Sequence, residues 1–302
     1  MAGYRSKRWA ARNGIDGPGE LRGHRDLTAG CQPIPCRSIV PSVQTAAVLA
    51  IIQGPQPAGL LFPRNPLGMC GRYTLHCSAA AVADRFGVPV PSRLPQRFNI
   101  APSQRVLAIR QRANGKRELV PLSWGLVPFW ADDPAIGNRL INARAETAAT
   151  KPSFRRAFAS RRCLIVADGF YEWQTDGRHK QPWYIQLASG QPFGFAGLWE
   201  RWEQAGSPIE SCTVLTCPAN TLMQPIHDRM PVILPAKSET DWLDPNAHDT
   251  PRLSQLLTPF PAALMTAYQV GTLVNSPRHD TAACIEPLPA RSTSDAQQRT
   301  LW

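Results

Sequence analysis

The 302 residues carry 33 Lys and Arg against 22 Asp and Glu, a formal charge of +11, with 43% apolar side chains and 30 prolines. That length allows one large domain or two small ones around a sizeable core, and so much proline favours loops and short strands over long helices. The run 46–52 is too short and too far from the start for a membrane span or a signal peptide, which argues against membrane insertion and export and leads to the expectation of a cytoplasmic protein.

Residues 1–68 hold eight Lys and Arg against three Asp and Glu and show neither strand nor helix periodicity; they are expected to be disordered or not to belong to the mature protein. From Met69 the texture is that of a folded domain, running to about residue 285. Residues 78–87 predict a short helix with Ser78 as N-cap and Gly87 as its stop. Strands over 106–109 and 119–122 flank an Asn114-Gly115 turn, a hairpin signal. A helix follows over 151–161 with Pro152 in its first turn. Closely spaced strands are expected at 163–167, 170–173, 183–187, 193–199, 212–216 and 232–234. Ser238-x-x-Asp241 opens a short helix, and Thr250-Pro251 opens another that runs to Leu257. Residues 286–302 read as a disordered polar tail. Many short strands with few helices give an α+β fold with a mostly antiparallel, barrel-like sheet.

Eight cysteines (31, 36, 70, 77, 163, 212, 217 and 284) form no C-x-x-C pair, so reduced thiols are expected, and neither metal nor cofactor. Glycine-rich phosphate loops, G-x-S-x-G elbows and H-E-x-x-H helices are missing from the sequence. The basic balance suits a polyanionic partner.

Four segments place reactive groups beside Gly, Pro or aromatic residues: Met69-Cys70-Gly71-Arg72-Tyr73, Leu140-Ile141-Asn142-Ala143-Arg144-Ala145-Glu146-Thr147, Asp168-Gly169-Phe170-Tyr171-Glu172-Trp173 and Ile226-His227-Asp228-Arg229-Met230-Pro231. Singly, each has a plain structural reading. A lone Cys is usually a small buried hydrophobe. Strand alternation would point Glu172 to solvent, opposite Tyr171 and Trp173. His227, Asn142 and Arg144 could merely tie loops.

Together and in this order, the four segments resemble the SOS response-associated peptidase family, the abasic-site processing proteins. The resemblance covers nearly all of 69–285. It includes Arg97-Phe98-Asn99-Ile100-Ala101-Pro102, Trp124-Gly125-Leu126-Val127-Pro128-Phe129-Trp130 and Lys180-Gln181-Pro182-Trp183-Tyr184.

The resemblance implies that Met69 and anything upstream are removed, so that Cys70 becomes the first residue. An N-terminal cysteine offers an α-amine and a thiol two carbons apart, able to close a thiazolidine ring on the aldehyde of an abasic sugar in single-stranded DNA. An internal cysteine lacks that amine. By resemblance Glu172 is the general acid and base, His227 a proton shuttle and Asn142 the group that orients the amine. The same likeness places Arg72, Arg144 and Arg229 on DNA phosphates, Asn99, Pro102 and Trp130 along the DNA groove, and Thr216 near the abasic pocket.

The family name raises a second reading, a cysteine peptidase acting on itself or on other proteins. A third is a single-strand binder without chemistry, which would not need Cys70, Glu172 and His227 together. Translation is expected to begin at Met69. Gln298, Leu301 and Trp302 are similar to the Gln-x-x-Leu-aromatic pattern of peptides that bind the replication sliding clamp.

Overall fold

Among the described residues the chain forms thirteen β-strands and five short α-helices, and the architecture is α+β, with mostly antiparallel, barrel-like sheets and flanking helices. The computed structural model describes residues 71–289 apart from Ala113, Arg178 and Ala205. What the sequence suggests for 1–68, for Cys70 and for Gln298, Leu301 and Trp302 lies outside the described residues.

Strand β1 (Arg72–Leu75) leads into α1 (Ala79–Phe86), an alanine-rich segment with good helix propensity. The Ser78 hydroxyl accepts the Ala81 N–H, and Gly87, at φ 64, ends the helix in the left-handed region as its sequence suggests. Strand β2 (Arg97–Ile100) precedes the hairpin of β3 (Arg105–Gln111) and β4 (Arg117–Trp124). Strand β5 (Asn142–Arg144) runs into α2 (Ala145–Ala148) and then α3 (Arg155–Ser160).

The helix expected over 151–161 is shorter than its sequence suggested. Lys151 O accepts from both Phe154 N and Arg155 N, at 2.9 and 2.8 Å, so a tight turn stands where the first helical turn was expected and Pro152 lies ahead of α3. Next come β6 (Arg162–Ala167), β7 (Gly169–Asp176), β8 (His179–Leu187), β9 (Phe193–Trp202) and β10 (Ile209–Pro218), each longer than expected. The remaining elements are β11 (Arg229–Pro231), β12 (Ile233–Leu234), α4 (Ala236–Leu243), α5 (Thr250–Gln255) and β13 (Met265–Gln269). Pro235 occupies the N-cap of α4, which places Ser238 inside the helix rather than at its start. Asp249, not Thr250, caps α5 by accepting the Arg252 N–H.

Strand β10 pairs with both β4 and β9, and the path β10-β4-β3-β6-β9 returns to β10, closing a five-stranded barrel. Only the β4–β10 pairing of that ring is parallel. Closure leaves the ring without open edges. Outside it, β5 and β11 lie along the far end of β10. A second sheet runs β13-β8-β7-β1-β2.

Aromatic rings join the second sheet to the barrel. Tyr73 of β1 meets Trp124 of β4 at 5.4 Å and Phe195 of β9 at 5.8 Å, while Phe170 of β7 meets Phe195 at 5.9 Å. All four rings are buried in the main core, where such edge-to-face pairs each contribute about 0.5–1.5 kcal/mol beyond burial. The start of β1 and the head of β7 are thereby fixed against the barrel. At the other end of the chain, Pro287 bridges Val270 and the Leu288 N–H donates to Gln269 O at 2.9 Å, so ordered structure continues past residue 285.

Candidate active site

Glu172 is 2% exposed, which corrects the expectation from strand alternation that it could face solvent. Strand β7 lies between β1 and β8 and is covered on both faces at its head, so Phe170, Tyr171 and Glu172 are all buried. A carboxyl in that position costs free energy that packing alone would not repay. Arg72 stands opposite Tyr171 and Tyr73 opposite Phe170 in the antiparallel register of β1 with β7. Continued by one residue, that register sets Gly71, which is bonded to Cys70, opposite Glu172.

Gln174, two residues beyond Glu172 and on the same strand face, donates to Pro225 O at 2.9 Å and accepts from the Trp183 indole at 3.1 Å. It connects β7 to the turn that carries His227. Asn220 caps this turn through its side-chain oxygen, 3.0 Å from Met223 N, and His227 N donates to Met223 O at 2.9 Å. The Arg229 N–H donates to His227 Nδ1 at 3.0 Å. Arg229 O, which can only accept, also lies 3.2 Å from Nδ1, so the contacts of this nitrogen hold the ring in place without fixing its tautomer. Asp228 Oδ1 lies 3.1 Å from Nδ1 and would pair with it in a protonated ring.

The far end of β10 collects the other residues. Its parallel register with β5 sets Val214 beside Asn142 and Thr216 beside Arg144, while on its other side Thr216 faces Pro231 and Pro218 faces Arg229. Asn142 and Thr216 are buried and Arg144 is exposed. Arg229 donates through Nη1 and Nη2 to the two carboxylate oxygens of Glu146, at 2.7 and 3.0 Å, and through Nη2 to Thr216 O at 2.6 Å. The hydrogen bonds from Arg229, with a lesser contribution from its charge, hold the Glu146 carboxyl below its ordinary range against the opposing effect of burial.

The DNA-contact expectations fare unevenly. Asn99 is wholly buried, and its amide donates to Val274 O, Ser276 O and His279 O while its oxygen accepts from Arg72 at 3.1 Å. Its expected place along a groove is therefore corrected: Asn99 ties the 274–279 segment to β2. Arg72 also donates to Val274 O at 2.8 Å, and burial lowers the pKa of its guanidinium. Both meet main-chain carbonyls of the 274–279 segment, and Arg72 stays partly exposed. Pro102 is half-buried in the turn before β3, and Trp130 is 43% exposed beside Phe129, whose ring lies 3.9 Å from the Arg156 guanidinium. Gly125, at φ 132, anchors the loop bearing these aromatics, since a Cβ there would fall 2.7 Å from Gly137 O.

Burial pushes the thiols of Cys77 and Cys217 up to about 12 and raises those of Cys163 and Cys212 as well. These four are poor nucleophiles at neutral pH. Asp168, within a motif but given no role by the sequence, accepts from Thr74 Oγ1 at 2.6 Å, from the main chain of His76 and Cys77 at 2.5 and 2.8 Å, and lies 2.9 Å from His76 Nδ1. Sequence reasoning also passed over Gln174, which its shared face with Glu172 could have revealed, and Glu146, whose spacing carries no such signal.

The SOS response associated peptidase family, SRAP, matches residues 69–277. The abasic site processing protein YoqW of Bacillus subtilis is 46% identical over 224 residues, covering 72% of this chain and 99% of the relative. The abasic site processing protein YedK of Escherichia coli is 34% identical over 181 residues, 58% of this chain and 79% of that one. A crystal structure of a Bacteroides thetaiotaomicron protein superposes with a TM-score of 0.66 at 28% identity, over 73% of this chain and all of the other.

Proposed function

The chain belongs to the SOS response-associated peptidase family, and on that premise we propose that it captures abasic sites in single-stranded DNA as a covalent adduct of Cys70. The observation that carries this reading is the burial of Glu172 on the strand paired with β1, the strand that follows Cys70 and Gly71. The names of the relatives in Bacillus and Escherichia as abasic site processing proteins support the substrate. The raised thiols of Cys77, Cys163, Cys212 and Cys217 leave Cys70 the better nucleophile of that group.

The chemistry requires Cys70 to be the first residue, and the family match beginning at Met69 is consistent with a unit that starts there. A free α-amine, with a pKa of about 7.7–8.0, is substantially neutral near pH 7.5. It adds to C1′ of the ring-opened sugar, and the carbinolamine loses one water to give an imine. The Cys70 sulfur then adds to the imine carbon and its proton passes to nitrogen, closing a five-membered ring of C1′, N, Cα, Cβ and Sγ. Glu172 moves the protons of ring opening and water loss. His227 supports the sugar hydroxyl, and Asn142 orients the amine. We assign the peptidase activity in the family's description to release of whatever precedes Cys70, with the Cys70 thiol as nucleophile and Glu172 as its proton carrier.

An oligonucleotide with one abasic site, incubated with the protein and run on a denaturing gel after heating, tests the proposal. A shifted band that survives heat is expected. Cys70→Ser, produced from Met69 so that methionine removal exposes the serine amine without the thiol, should lose that band yet still be trapped by borohydride as a reduced imine. An undiminished heat-stable adduct from the serine variant would overturn the thiazolidine.

A further inference from the structure

Arg229 meets Glu146 in the manner in which an arginine meets a phosphate. Two parallel N–H groups face two oxygens at 2.7 and 3.0 Å, a bidentate fork. The two ends of the pair differ. The Arg229 side chain is 12% exposed and is fixed by Thr216 O, and by Thr216 Oγ1 at 3.2 Å, whereas the Glu146 side chain is 45% exposed. The cation is thus built into the start of β11 against the end of β10, and the anion approaches it from the solvent side. Exposed Arg144, two residues from Glu146 and paired through its strand with Thr216, adds positive charge to the same surface.

We infer that Glu146 is a placeholder that occupies the phosphate seat of Arg229 in the free protein and is displaced by the backbone of an incoming single strand. The inference rests on the proposed DNA reading. Glu146 is held as a carboxylate by the Arg229 hydrogen bonds, so one singly charged oxyanion replaces another and no proton moves. The seat stays ordered without DNA, because the guanidinium is never left unpaired in its half-buried position. The cost is competition: each binding event must release Glu146 into water, so Glu146 sets the affinity for DNA without touching it.

The test is anisotropy of the full chain with a labelled, undamaged single strand across a salt series, for wild type, Glu146→Gln, Arg229→Gln and the double variant. Glu146→Gln should bind about threefold to tenfold more tightly at low salt. Its slope of log affinity against log salt should steepen by about 0.7, one single-strand phosphate's worth, since no freed carboxylate takes up a cation. In the Arg229→Gln background the same substitution should add little. An equal gain in both backgrounds would mean through-space charge alone and overturn the inference, as would unchanged or weaker binding by Glu146→Gln. Wild-type protein that binds no single strand at any salt would overturn the DNA reading itself, a distinct result visible before the variants are compared.

Discussion

Asp168 and Glu172 are two buried carboxylates four residues apart at the head of β7, in surroundings of different kinds. Asp168 takes hydrogen bonds from Thr74, His76 and Cys77 that join β7 to the segment following β1. Burial raises its pKa, but the bonds and charge of His76 and Thr74 outweigh that and leave it lowered. Its role is to hold the strands together. Glu172 lies where the paired strand begins, opposite Gly71 in the continued register, and its proposed role is proton transfer. Amide substitutions should separate the two. Glu172→Gln should slow crosslinking by about 10²-fold while leaving undamaged single-strand binding and the urea midpoint near wild type. Asp168→Asn should cost about 2–4 kcal/mol at pH 7. Because the folded pKa of Asp168 is depressed, its contribution is full above the unfolded carboxylate pKa and is lost as pH falls through the folded one. The difference in urea midpoints should therefore be largest near pH 7 and shrink below about pH 4. A difference independent of pH would show that the charge on Asp168 contributes nothing.

At the scale of elements, β7 depends on a close approach that only glycine allows. A Cβ on Gly169 would fall 2.0 Å from the Tyr184 hydroxyl and 2.3 Å from its ring carbon. Tyr184 cannot yield easily: it is wholly buried, its hydroxyl lies 3.0 Å from Thr74 Oγ1, and its ring packs between Tyr171 and Tyr268 at 5.2 and 5.5 Å. Gly169→Ala should lower stability by about 1–3 kcal/mol and, by shifting β7 against β1, slow crosslinking although no reacting group is changed. Thermal unfolding and a crosslinking time course would check this; a stable variant with a full rate would show that β7 tolerates the shift. Elements defined by local chemistry were legible in the sequence, such as α1 with Ser78 and Gly87, or the hairpin about Asn114-Gly115. Those defined by distant partners were not. Strand β5 is three residues long and exists because β10 pairs with it, and β2 and β13 are likewise short strands at sheet edges. Periodicity cannot be read from so few residues. The site divides in the same way. Motifs pointed to Asn142, Glu172, His227 and Arg229, whereas the burial of Asn99, the carbonyls around Arg72 and the grip of Glu146 on Arg229 arise from contacts 27 to 202 residues apart in sequence.

Among the described residues, a closed barrel and a second sheet supply different residues of the candidate site. The barrel strand β10 gathers Asn142, Arg144, Thr216 and Arg229, and the second sheet supplies Glu172 beside the start of β1. Gln174 and Pro225 bring the two together. The proposed chemistry depends on one nitrogen, the α-amine of Cys70, which is a nucleophile only if no peptide bond precedes it, since an amide lone pair is delocalised into its carbonyl. The direct measurement is the mass of the heat-stable adduct after nuclease digestion and peptide mapping. The expected species is a chain beginning at Cys70, with the sugar remnant on its first residue and one water lost. An adduct on a chain that still carries residues upstream of Cys70, or on any other side chain, would contradict the assignment.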